Sequence, residues 1–85
     1  MNIEHLSDMA NQIGQFFAAY PDHQQSQREI AEHLKKFWEP RMRVALLAHL
    51  DATGGAGLDA LVRDAVVAHR QMLEPIERST PTPLA

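Results

Sequence analysis

The chain has 85 residues, 45% of them apolar and 22% charged, which fits one small globular domain and excludes both a second core of useful size and intrinsic disorder over the whole length. A net charge of −3, from eight basic and eleven acidic residues, argues against a broad electrostatic footprint on nucleic acid or anionic lipid. The sequence has no cysteine, which removes iron–sulfur ligation, thiolate zinc and thiol redox chemistry from what the chain itself offers.

The opening Met1-Asn2-Ile3-Glu4-His5 lacks a basic and apolar leader, and no apolar run reaches the roughly 18 residues of a membrane span. The expectation is a soluble cytoplasmic protein that does not enter a membrane. Ile3, Leu6, Met9, Ala10, Ile13, Phe16, Phe17 and Tyr20 recur at three- and four-residue steps, so they share one arc of a first helix with Asn2 as its cap. Gly14 stands in line with Ala10 and Ala18, a stripe of small residues that suits close helix packing. Packing within the chain is the plain explanation, and a symmetric homodimer face is the alternative.

Tyr20-Pro21 ends that helix, since the residue before proline is driven out of helical backbone. A second helix starts either at the cap Asp22 or at Ser26, whose spacing to Glu29 suits a capping box, and runs to about Trp38. Its apolar arc is Ile30, Leu34, Phe37 and Trp38, with Glu32 and Lys36 spaced for a solvated ion pair. Pro40 breaks the chain after Glu39 and opens a third helix, about 40–52. There Val44, Leu46, Leu47 and Leu50 spread widely around the axis, so this helix is expected at the centre. Gly54-Gly55-Ala56-Gly57 supplies a stop and a turn.

A fourth amphipathic helix, about 58–73, carries Leu58, Leu61, Val62, Ala65, Val66, Met72 and Leu73 on one arc, with His69 inside that arc as a hydrogen-bonded core histidine. The predicted fold is all-α: a compact bundle of about four helices over residues 1–74, with mostly antiparallel neighbours, followed by a proline-bearing tail over 75–85 expected to be disordered or ordered only by a partner.

Chemistry is hard to place on this scaffold. Glu29 and His33 sit four apart, but no second histidine–carboxylate pair joins them among the five histidines, too few ligands for a metal site. The glycine cluster lacks the Lys-Ser/Thr that ends a phosphate loop, and no serine has a nucleophile elbow. No catalytic, cofactor-binding or metal-binding residue is assigned, and an enzyme acting alone is not expected.

One stretch stands out. Lys35, Lys36, Arg41 and Arg43 fall beside the aromatics Phe37 and Trp38. Arg41 lies in a first helical turn, where the macrodipole opposes positive charge, and Arg43 projects into an apolar sector, where it needs a partner. Either the aromatics are core and the arginines pair with Glu39, Asp51 or other internal acids, or Trp38, Arg41 and Arg43 anchor a protein surface. Nucleic acid is the weaker alternative, since no recognition helix accompanies the basic turn.

The stretches Met-Ala-Asn-Gln-Ile-Gly-Gln-Phe-Phe at 9–17, Ile-Ala-Glu-His-Leu-Lys-Lys-Phe-Trp-Glu-Pro-Arg-Met-Arg at 30–43 and Gly-Leu-Asp-Ala-Leu-Val-Arg-Asp-Ala-Val at 57–66 resemble the formate dehydrogenase delta-subunit family. Phe-Trp-x-Pro-Arg-Met-Arg is the specific part, because helix periodicity alone does not demand it. The resemblance implies a non-catalytic accessory subunit of a cytoplasmic, NAD-linked, molybdenum- or tungsten-containing enzyme, serving assembly, stabilisation or maturation by binding the catalytic (alpha) subunit. Bis-molybdopterin guanine dinucleotide, iron–sulfur clusters, FMN and NAD would then belong to the parent complex and none to this chain. Carried over by position, the family motif points to Asn11, Gln12, Phe37, Trp38, Pro40, Arg41 and Arg43 as partner-binding residues. A free-standing homodimeric regulatory module is the competing expectation.

Overall fold

The computed structural model describes residues 2–75, and these form five helices with no strand: α1 (Ile3–Phe17), α2 (His23–Phe37), α3 (Pro40–Thr53), α4 (Ala60–Ala68) and α5 (Arg70–Leu73). The expected tail lies outside the described residues except for Pro75, which is buried. Helices arise where the periodicity is apolar and stop where caps and prolines dictate. The Asn2 side chain accepts from the backbone N–H groups of Glu4 at 2.8 Å and His5 at 3.4 Å, satisfying two of the donors that a helix start leaves unpaired.

Asp22 caps α2 by accepting from the Gln24 N–H at 3.0 Å, so of the two expected starts the earlier is the one used. Ser26 serves otherwise: it is buried, and its hydroxyl donates to the Phe17 carbonyl at 2.8 Å. That bond ties the first turn of α2 to the last carbonyl of α1, which also accepts from the Tyr20 N–H at 3.1 Å, and folds the pair into a hairpin.

Pro40 begins α3 as a pre-set first-turn residue. Gly54 ends α3 with φ 76°, a left-handed cap that side chains with a Cβ resist. Thr53 then organises the turn, its hydroxyl accepting from the Ala56 N–H at 2.9 Å and the Gly55 N–H at 3.2 Å. The His49 Nε2–H donates to the Ala56 carbonyl at 2.6 Å.

The core is made of Leu6, Ala10, Ile30, Leu34, Trp38, Leu46, Leu47, Val62, Ala65, Val66 and Leu73, with contributions from all five helices and the Trp38 turn. Its hub is α2, which packs on α1, α4 and α5, and this corrects the expectation that α3 is central. The reason is size as much as hydrophobicity. Along α2 the buried positions are Ser26, Ile30, Ala31 and Leu34, and the two small side chains let neighbouring backbones approach. In α3 the buried positions are Arg43, Leu46 and Leu47 while Val44 and Leu50 are only half-buried; its wide apolar spread has no matching ring of neighbours.

The small-residue line of α1 is consumed inside the chain. Ala10 and Gly14 are buried, and a Cβ on Gly14 would collide with Val62 Cγ2 of α4. Only Ala18 of the three is exposed, so the line goes to packing within the chain, the plain explanation, and not to the alternative of a symmetric homodimer face.

The fourth predicted helix is two. It breaks at His69, with φ −119° and ψ 31°, and this residue is half-buried at the junction and not in the core. The break accompanies a turn of Arg70 toward α3, where its guanidinium donates to both oxygens of Asp51 at 2.8 and 2.7 Å, and its Nε to Glu74 at 3.2 Å. The hydrogen bond from Arg70 holds the Asp51 carboxyl below its ordinary value. No helix among the described residues is long and apolar enough to cross a membrane.

Candidate functional site

The aromatic and cationic stretch around Pro40 is divided by the geometry of one turn. Phe37 is the last residue of α2, and Trp38 leaves the helix with φ −86° and ψ 138°. Trp38 swings into the core and is 6% exposed, whereas Phe37 stays outside and is 66% exposed. Phe37 and Trp38 do not share the expected arc: the Trp38 N–H still bonds the Leu34 carbonyl, so the two side chains stand about 100° apart, and Trp38 is the one that continues the buried line of Ala31 and Leu34.

Arg43 is buried as well. Its Nη1 donates to the Leu73 carbonyl at 3.1 Å, while its Nε has no partner among the described residues. It therefore caps the last carbonyl of α5 from α3, and pairs with none of the acids considered from sequence. Asn11 is equally structural in its contacts: its amide donates to the Gly57 carbonyl at 2.9 Å and its oxygen accepts from the Asp59 N–H at 2.8 Å. One side chain thus clamps α1 to the turn before α4. Asn11, Trp38 and Arg43 serve the fold, whereas Gln12, Phe37, Pro40 and Arg41 are exposed.

What the structure adds is the other half of an aromatic surface. Phe16 of α1 is 73% exposed and packs edge-on against Phe17 with ring centroids 5.0 Å apart. From Phe17 the series continues to Tyr20 at 5.8 Å and, across to α2, to His33 at 6.0 Å. His33 in turn lies 4.7 Å from Phe37. A continuous strip thus crosses from α1 to α2, with an exposed phenylalanine at each end. Gln12 stands one turn before Phe16 on the same helical face.

Charged side chains border the strip. Phe17, His33 and Phe37 together with Glu29, Glu32 and Lys36 line a shallow open cleft. The ion pairs among the described residues are Arg63–Asp64, Arg70–Asp51 and Arg70–Glu74, so Glu29, Glu32 and Lys36 remain uncommitted. The expected Glu32–Lys36 pair is not made, although its spacing allows it. Three or more His, Asp or Glu groups do not converge as metal ligands among the described residues.

Sequence reasoning placed Phe16 in the core arc and so missed it. The available signal is angular: at 100° per residue Phe16 lies roughly 120° around the axis from Ala10, at the edge of the apolar sector. An arc too wide for one neighbour leaves its rim uncovered.

No curated protein and no solved structure matches the chain. Residues 5–66 do match a family, described as NADH-dependent formate dehydrogenase delta subunit FdsD, and the matched stretch contains the α1–α2 aromatic strip and the Pro40 turn. As the match spans well over half of the sequence, the chain belongs to the NADH-dependent formate dehydrogenase delta subunit family.

Proposed function

We propose that the chain is a non-catalytic accessory subunit that binds the catalytic subunit of a cytoplasmic NAD-linked formate dehydrogenase and supports its assembly, stabilisation or maturation. The observation that carries this reading is the strip from Phe16 through Phe17 and His33 to Phe37, with both terminal rings largely exposed. Large apolar rings clustered on a small surface lose contact with water when a partner covers them, and aromatic side chains dominate such contacts. Arg41, exposed at the start of α3, is the second element of the docking face.

Bis-molybdopterin guanine dinucleotide, iron–sulfur clusters and FMN belong on this proposal to the other subunits. An iron–sulfur cluster does not fit the donor set of this chain, which has no cysteine to hold one. Its contribution is recognition. In cells producing the whole enzyme, replacing Phe16, Phe37 and Arg41 together by alanine is expected to reduce recovery of assembled, active complex severalfold. These side chains are exposed, so the free variant keeps its fold. Undiminished recovery would refute the docking face. Trp38→Ala is unsuitable for this purpose, since it empties the core.

A further inference from the structure

The cleft beside the strip has a chemistry of its own. Its walls are the rings of Phe17, His33 and Phe37, and its charged rim is Glu29, Glu32 and Lys36. Ring faces carry negative quadrupole charge, and carboxylates attract donors, so both features favour a cation. A purely apolar group seated here would cover Glu29 and Glu32 without partners, which is costly. An anionic group would meet two carboxylates against one ammonium.

Resting on the docking proposal above, we propose that this cleft receives an arginine side chain of the partner subunit. The flat guanidinium stacks on the exposed Phe37 ring beside the half-buried His33 while its N–H groups donate to Glu29 and Glu32. Lysine fits less well, because an ammonium neither lies flat on a ring nor donates in a fork. Lys36 is the one element of the rim that opposes the guest, and this gives the proposal a sign that generic apolar docking lacks.

The test is the affinity of the full chain for the formate dehydrogenase catalytic subunit at low and at moderate salt, with melting of each variant as the check on folding. Glu29→Gln with Glu32→Gln is expected to weaken binding about tenfold and to flatten its salt dependence. Lys36→Gln should strengthen binding about two- to threefold, most clearly at low salt, because it removes a like charge from the rim. Phe16→Ala with Phe37→Ala tells the two layers of the argument apart. If that double variant binds as well as the parent, the docking reading falls and the arginine cleft with it. If it binds weakly while the glutamate and lysine variants lack their opposite signs, docking stands and the arginine assignment is overturned.

Discussion

Gly14 sits where α1 meets α4, and adding a single methyl group there separates two effects of opposite sign. In a helix interior alanine is favoured over glycine by about 1 kcal/mol. The new Cβ, however, would run into Val62 Cγ2, with Ile30 Cδ1 and Val62 Cβ each 3.9 Å away. Val62 is fully buried, and its branched side chain has essentially one comfortable rotamer in a helix, so the methyl has nowhere to swing. Over-packing of this kind costs about 1–3 kcal/mol.

Gly14→Ala is therefore expected to destabilise the chain by about 1 kcal/mol net, lowering the thermal midpoint by about 4–8 °C for a domain of this size. In a Val62→Ala background the sign should reverse. The opponent is gone, part of the cavity is refilled, and the same methyl should then stabilise by about 1 kcal/mol. Urea or thermal melts of the parent, both single variants and the double variant give the coupling, expected at about 2 kcal/mol. Stabilisation by Gly14→Ala in the parent, or equal effects in both backgrounds, would refute the packing argument.

Two further substitutions probe the joint between α3 and the last helix. Arg43→Ala removes a buried stem and leaves the Leu73 carbonyl without its donor, which should cost about 2–3 kcal/mol, whereas Arg43→Met keeps the stem and disposes of the unpartnered Nε at a cost of about 1 kcal/mol; equal urea midpoints for the two would refute the assignment. The Asp51 carboxyl, hydrogen-bonded by Arg70, titrates below its unfolded value of 3.8, so its stabilising contribution is present above that value and fades as pH falls through the lower folded one. Asp51→Asn should flatten the acid limb of the stability curve and change little near neutrality, because the pair is exposed and screened; an unchanged acid limb would dismiss the pair.

Helix existence was legible because it rests on local signals. Asn2 and Asp22 cap, Pro40 opens α3 and Gly54 closes it, each by backbone chemistry confined to a few residues. The hub was not legible. Apolar spread around α3 measures how much a helix could bury, while Ser26 and Ala31 on α2 reveal how closely others come, and only the second decides the centre.

At the candidate surface the motif residues were visible but their directions were not. Trp38 and Phe37 part company by one helical step, and the strip joins Phe16 and Phe17 of α1 to His33 and Phe37 of α2, two elements that a linear motif does not join. Likewise the Arg43 bond to Leu73 spans thirty positions, beyond the reach of any local pattern.

Phe16 and Phe37 also set terms for handling the chain in isolation. With both rings facing water, unaccompanied copies should cling to one another and to hydrophobic matrices, more so as sulfate is added, without settling on a fixed stoichiometry. On the docking proposal, the chain should keep best when made alongside the partner that shields these rings, and its surplus should be the fraction that a cell's quality control meets first.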